Sequence, residues 1–307
     1  MELIKLADMN MFLKYFDNAS RMVVAGLDKK ENGIQMSATM GRSPNSRNRI
    51  YVAEQDGSGI LRTEAADESK VEDPSLIIYN AMRSVKHEGM YLAHIVSNGD
   101  QTDTIANRFK SVEIGPSAFG KALRTRYCEP DPTIFTARIT AYQNPKAPDV
   151  AYFSILKADP FAKEHWIQTL KDSGLNKEDF KQEGMTSAEL NEIFNQEVGK
   201  LAGLDHKEFP TIRETFELPL TPGFGYCLTT YDSGRAELPP FTGEPFLVPL
   251  NGEKLEDMMQ TFWNALYLKE DRVSLGGKSF NDDNAMNIAV PINKYEKVKS
   301  KWQKQLH

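Results

Sequence analysis

Arg42, Arg47 and Arg49 fall within eight positions, separated by Ser43, Pro44, Asn45 and Ser46. Proline presets φ, and Asn and Ser bond the local backbone, so these separators form a compact polar loop. Forked guanidinium donors on such a loop suit a phosphate or a carboxylate. A solvated surface turn is the ordinary reading of an Arg-rich loop, and what surrounds this one argues for more. Upstream, Arg21-Met-Val-Val-Ala-Gly reads as a strand, and Asp28 to Gly33 is a turn ending in Asn32-Gly33, a strong hairpin signal. Antiparallel pairing of 21–27 with 34–40 places Arg21 opposite Met40, beside Gly41 and Arg42. Four arginines at one end of a hairpin repel each other, and an anion between them removes that cost. Further polar groups follow in Tyr79-Asn80, Ser97-Asn-Gly-Asp-Gln-Thr-Asp-Thr-Ile105, Glu129-Pro-Asp-Pro132, Arg138 and Tyr231.

The elements that must position these residues alternate between strand pairs and helices. Residues 1–17 read as a short helical or irregular lead-in. On the return strand Ile34, Met36, Ala38 and Met40 take one face and Gln35, Ser37 and Thr39 the other. An extended polar segment runs from Tyr51 to Glu72. Asp73-Pro74 suits a helix start, giving an expected helix over 75–85 that carries Tyr79 and is closed by His87. A strand over 90–96 then leads into a helix capped by Thr102 or Asp103, and a second helix follows Pro116. Strands are expected over 136–142, containing Arg138, and over 150–157. Residues 158–215 differ, with two amphipathic helices (161–171 and 187–201), and read as an insertion in a single domain spanning 1–307. Strands resume at 223–231 and 246–250, followed by a helix over 254–268. Two strands then flank Ser279 to Asn284, and a Lys-rich helix over 295–306 closes the chain. Hairpin connections throughout imply α+β layering rather than a doubly wound parallel sheet.

Composition narrows the function classes. Of the 307 residues, 40% are hydrophobic and 26% charged, a normal globular balance. A net charge of −6 argues against a general nucleic-acid or acidic-membrane surface, so an anionic ligand must be met by a local cluster. Cys128 and Cys227, the two cysteines, support neither a disulfide framework nor a zinc site. No apolar run nears the roughly 20 residues that span a bilayer, and no secretory leader is evident, so a cytoplasmic protein is expected. Gly223-Phe-Gly225 lacks the third glycine of a dinucleotide fingerprint, and no Walker loop, metal spacing or Ser-His-Asp series occurs. His94 lies inside a strand, the usual place of a packing residue, so a site must run on Arg, Tyr, Glu, Asp and Asn.

Taken together, the segments resemble the archaeal-type IMP cyclohydrolases and their bacterial relatives. The resemblance rests on Gly41-Arg-Ser-Pro-Asn-Ser-Arg-Asn-Arg49, Tyr79-Asn80, Ser97 to Ile105 and the Arg138 strand. It continues with Gly225-Tyr-Cys-Leu-Thr-Thr-Tyr231, Phe241-Thr-Gly-Glu-Pro245 and Phe280-Asn-Asp282, in family order over residues 18 to about 293 apart from the helical insertion. The resemblance implies closure of a purine ring, converting 5-formamidoimidazole-4-carboxamide ribotide to inosine monophosphate (IMP) with no metal or redox cofactor. It implies a small-molecule purine nucleotide as partner, and a homo-oligomer is compatible with it. It also implies a four-layer αββα sandwich resembling the N-terminal-nucleophile hydrolases. Glu2 follows Met1 and no Ser, Thr or Cys heads the first strand, so amide hydrolysis by a terminal nucleophile is not expected.

By the same resemblance Arg47, Tyr79, Glu129 and Tyr231 fall at catalytic positions. Tyr79 and Arg47 would serve the formyl oxygen and proton transfer, while Glu129 and Tyr231 orient the carboxamide and base. Arg21 and Arg42 would meet the 5′-phosphate, with Asn98, Thr102 and Asp103 shaping the nucleotide pocket and Ser43 and Arg138 as further substrate-binding residues. Each has a plainer role open to it. Tyr79 could pack its ring, Tyr231 could be structural, and Thr102 and Asp103 could be caps. Arg138 could pair with Asp103 or Glu129, and Asn281-Asp282 could form a turn. The chain departs from the family where the first strand usually carries Gly before Arg, since Ser20 stands there. A purine-nucleotide-binding protein that has lost or changed catalysis is the alternative function.

Overall fold

The hairpin marked by Asn32-Gly33 forms strands β1 (Arg21–Leu27) and β2 (Gly33–Met40). Asp28 closes the turn, its carboxylate accepting from the backbone N–H of Lys30 and Asn32, each at 2.8 Å. Arg21 faces Thr39 in the register, one residue short of the expected Met40. A computed structural model of the chain describes residues 20–41, 44–71, 78–111, 114–231, 241, 243–266 and 271–298. The lead-in over 1–17, Arg42, Ser43 and the Asp73-Pro74 helix start lie outside them.

The protein is α+β, with two antiparallel seven-stranded sheets and, among the described residues, five helices of 8 residues or more. The first sheet joins β1 and β2 to β10 (Phe224–Thr229), β11 (Phe246–Pro249), β12 (Arg272–Phe280), β13 (Met286–Ile288) and β14 (Ile292–Asn293). The second is a meander in chain order: β3 (Ile50–Ala53), β4 (Leu61–Glu64), β5 (Asn80–His87), β6 (Met90–Ser97), β7 (Arg138–Asn144), β8 (Ala147–Ala158) and β9 (Thr211–Pro219). The helices are α1 (Gln101–Ser111), α2 (Pro116–Leu123), α3 (Pro160–Ser173), α4 (Ser187–Ala202) and α5 (Leu255–Ala265). The pair α3 and α4 connects β8 to β9.

Burial follows the two-residue strand period. Ile34, Met36, Ala38 and Met40 pack with Leu255, Met258 and Phe262 of α5 on the outer face of the first sheet. Val23, Ala25, Leu27 and Leu228 face Ala81, Val96, Ile139, Ala141 and Phe153 of the second sheet. Helices α1 and α2 cover the second sheet's other face through Ile105, Phe109, Phe119 and Leu123. A separate cluster of Phe135, Trp166, Val198 and Phe209 roots α3 and α4 on the loop after Tyr127.

The helix expected over 75–85 is corrected, since Asn80–His87 is a strand. Glu88 and Gly89 both take positive φ, 49° and 82°, the geometry of a two-residue hairpin turn. That turn pairs β5 with β6, and strand pairing overrides the local helix pattern. His87 therefore ends a strand rather than a helix. At the C-terminus, residues 295–298 are not helical, and the rest of the expected Lys-rich helix lies outside the described residues. The segment after Tyr51 contains the β3–β4 hairpin.

Between the sheets runs a polar row far from the arginines. Ser84, His94 and Gln143 are cross-strand neighbours in the second sheet, and Lys278 and Gln35 pair in the first. Lys278 Nζ donates to Ser84 Oγ at 3.1 Å, and Ser84 Oγ lies 2.8 Å from His94 Nδ1. Burial pushes the Lys278 amine down to about 7. The unfolded chain then holds a proton at Lys278 that the folded chain lacks between about pH 7 and the ordinary lysine value. Stability should rise with pH across that window, by up to about 1.4 kcal/mol per pH unit. Urea unfolding between pH 7 and 10 should show this rise in the parent chain and lose it in Lys278→Met. Parallel curves would refute the assignment.

Candidate active site

One end of the two sheets gathers most of the chemistry. There β1 begins and β2, β6 and β10 end, so their terminal residues converge. Asn98, just past β6, ties this end together. Its amide donates to Ala137 O at 2.9 Å and Thr230 Oγ1 at 3.4 Å, and accepts from Ile139 N and Gln101 Nε2. Thr230 N in turn bonds Arg21 O at 2.9 Å. All four hydrogen-bonding positions of Asn98 are thus engaged inside the fold.

Arg21 Nη1 donates to Glu129 Oε1 at 2.6 Å, with side chains only 11% and 7% exposed. Glu129 is held by its backbone N–H on Thr136 O at 2.8 Å. Asp131, two residues on, accepts from Thr136 N and Thr136 Oγ1. Burial, and then the charge of Glu129, push the Asp131 carboxyl up to about 7. Burial works against the charge of Arg21, yet Glu129, Tyr79 and Asp131 outweigh it and raise its pKa. Arg49 is buried in the same cluster, its pKa lowered by burial and by the charge of Arg21.

Two tyrosines complete the cluster and differ in one respect. Tyr51 Oη meets Ser37 Oγ at 2.8 Å and Thr39 Oγ1 at 2.9 Å, and burial pushes its pKa up. Tyr79 is fixed through its backbone: its N–H donates to Thr63 Oγ1 at 3.0 Å and its carbonyl accepts from Thr63 N at 2.9 Å. Its ring packs in the inter-sheet core, but its buried hydroxyl has no hydrogen-bond partner among the described residues. A buried hydroxyl left in that state costs roughly 1–3 kcal/mol, so it needs an explanation. Tyr231, 6% exposed, bridges to Phe241 and stacks on its ring at 5.5 Å.

The other expected residues make their bonds outside this cluster. Arg47 closes a helical turn, Pro44–Arg47, and donates to Gly41 O and to Asp271 Oδ1, each at 2.7 Å. Gly41 has no room for a side chain, because a Cβ there would lie 2.7 Å from the Ser46 carbonyl carbon. Asp103 accepts from Asn80 Nδ2 at 3.0 Å and pairs with Arg83. Arg138 pairs with Asp100 at 2.6 Å, rather than with Asp103 or Glu129, the partners left open to it in its plainer role. Asp103 sits on α1, and Arg138 alternates with Ala137 and Ile139, so both lie on the helix-covered face, opposite Tyr79. Thr102 Oγ1 bonds Gly99 O at 3.1 Å in the first turn of α1. Asn281 belongs to a hairpin turn, bonding Ala285 in both directions. Ser20 takes φ 62°, a left-handed conformation that favours glycine.

Sequence reasoning missed Asp131 and Tyr51 and gave Arg49 only a supporting role. Asp131 stood in plain view between two prolines, and Arg49-Ile50-Tyr51 opens a strand directly after the arginine loop. The helical pair also borders the site, since Asp131 lines a cleft of about 390 Å³ with Asn191, Glu192, Asn195 and His206.

A family model described as IMP cyclohydrolase-like protein matches residues 19–284. No curated protein matches the chain.

Breaking a buried ion pair typically costs about 3–5 kcal/mol, because the remaining charge is left unmatched. Glu129→Ala should therefore lose about that much stability in urea unfolding. Arg21→Met combined with Glu129→Leu should recover most of it. Equal losses in single and double variants would show that the pair itself is not what matters.

Proposed function

The chain belongs to the IMP cyclohydrolase-like protein family, and on that premise we propose that it closes the purine ring of 5-formamidoimidazole-4-carboxamide ribotide to give IMP. The carboxamide nitrogen bonds to the formyl carbon, and the formyl oxygen leaves as water with one hydrogen from each nitrogen. A carboxamide nitrogen is a poor nucleophile, so the reaction depends on orientation and on a donor for the developing oxyanion. Alignment supplies at most roughly 7–11 kcal/mol, and one well-placed donor roughly 3–4 kcal/mol.

The observation that carries this reading is the buried Tyr79 hydroxyl, without a partner among the described residues, in a cluster with Arg21, Arg49 and Glu129. In the proposal Tyr79 donates to the formyl oxygen while the Glu129–Asp131 carboxyl pair takes up protons from the nitrogens. Tyr231 orients the base. Arg47 joins the formamide by exchanging Asp271 for substrate, and Arg42 and Ser43 meet the phosphate side. Asn98, Thr102, Asp103 and Arg138, engaged in bonds within the fold, support the pocket by positioning its walls. The helix–sheet–sheet–helix packing supports a likeness to the N-terminal-nucleophile hydrolases, with 158–215 as an insertion in one domain. No described helix is long and apolar enough to cross a membrane, in keeping with the proposed cytoplasmic setting.

A second reading, a purine-nucleotide-binding protein without turnover, draws on Ser20, whose left-handed backbone stands where the family usually has glycine. Direct assay separates the two. The purified chain, without added cofactor, should convert the formamido ribotide to IMP, followed by the change in chromophore on ring closure. Arg47→Ala should mainly lower kcat and Arg42→Ala mainly raise KM. Tight nucleotide binding with no turnover at high enzyme would establish the second reading instead.

A further inference from the structure

The helical pair α3–α4 brings a cation to this end of the molecule. Asp159 caps α3, accepting from Phe161 N at 3.0 Å and Ala162 N at 2.9 Å. Trp166, 1% exposed, packs edge-on against Phe135 at 5.5 Å and Phe209 at 5.9 Å. Residues three apart share a helix face, so locking Trp166 against the loop after Tyr127 also turns Lys163 toward that loop. Lys163 Nζ donates to Ile134 O at 2.7 Å and stands 4.9 Å from the centre of the Phe241 ring. Phe241 is the ring stacked on Tyr231. Asp131 and Cys128 lie near enough to favour the lysine charge, though burial outweighs them and lowers its pKa.

Lys163 differs from Arg21, Arg47 and Arg138 in its partners. Arg21 is paired with Glu129, Arg47 with Asp271 and Arg138 with Asp100. Among the described residues, Lys163 has a carbonyl and an aromatic face but no carboxylate within ion-pair distance. A half-buried ammonium with directions left for donation favours an anionic acceptor. The only formally charged group of a purine nucleotide is its phosphate.

We propose that Lys163 binds the 5′-phosphate of the nucleotide, which makes the helical pair a specificity element of the site. This inference rests on the purine-nucleotide reading but not on turnover.

The test is calorimetric titration of the full chain with IMP and with inosine, which lacks the phosphate. Lys163→Met should weaken IMP binding about tenfold or more, the loss of one charge-assisted bond. Inosine binding should stay unchanged, and Lys163→Arg should recover much of the IMP affinity. Equal weakening of IMP and inosine, an unchanged IMP affinity, or a parent chain that binds neither would overturn the proposal. A parent chain that binds IMP without turning over the formamido ribotide would sink the cyclohydrolase reading alone.

Discussion

The buried ion pair of Arg21 with Glu129 joins two parts of the molecule that lie far apart in sequence. Arg21 opens the central hairpin of the first sheet, and Glu129 stands on the loop between α2 and β7 of the second. A charge in this position is tolerated only when matched, since removing an ion from water costs several kcal/mol. The pair therefore sets where the loop must lie, and with it Asp131. Asn98 fixes the same junction through uncharged bonds, drawing the end of β6 onto β7 and onto the Thr230–Arg21 backbone. Within this frame the Tyr79 hydroxyl is held in place by its backbone and by ring packing, with no bond of its own among the described residues. A preorganised donor of that kind needs no reorganisation when charge develops on a substrate oxygen.

The rest of the inter-sheet space shows how the fold tolerates polarity. At one end the arginines, tyrosines and carboxylates neutralise one another in a cluster open to chemistry. At the other, Lys278, Ser84 and His94 form a closed polar row in which burial suppresses charge on both bases. Strand alternation produces both. Every second residue of β2 faces the second sheet, so Gln35, Ser37 and Thr39 are buried as deeply as the apolar residues between them. Ser37 and Thr39 use their position to hold Tyr51, while Gln35 joins the closed row.

Much of this was legible in the sequence, and the reasons are specific. Asn32-Gly33 announced the hairpin, and the arginine spacing pointed to the end of the sheets where the cluster lies. The helical pair was visible from its amphipathic periodicity. Residues 80–87 misled because Tyr79, Met82 and Val85 recur at helical spacing, while the deciding signal, Glu88-Gly89, lies beyond the segment. Partnerships were less legible than positions. Arg138 was free in sequence to choose among several carboxylates, and the helix start at Gln101 delivers Asp100 to it. Likewise no pattern tells that Glu129 crosses to Arg21, because the contact spans 108 residues and depends on how the two sheets stack. Lys163 was invisible as a site residue, since one lysine on an amphipathic helix reads as solvated surface.

The central claim is that the Tyr79 hydroxyl is kept without a partner for the sake of a ligand. Stability and turnover of Tyr79→Phe, measured on the same ligand-free preparation, test it most directly. Removing an unbonded buried hydroxyl should leave the urea midpoint equal to or above that of the parent chain, while turnover of the formamido ribotide falls by about a hundredfold or more. A stability loss of about 1 kcal/mol or more with turnover retained would contradict the account, because the hydroxyl would then be bonded within the fold and not reserved for chemistry.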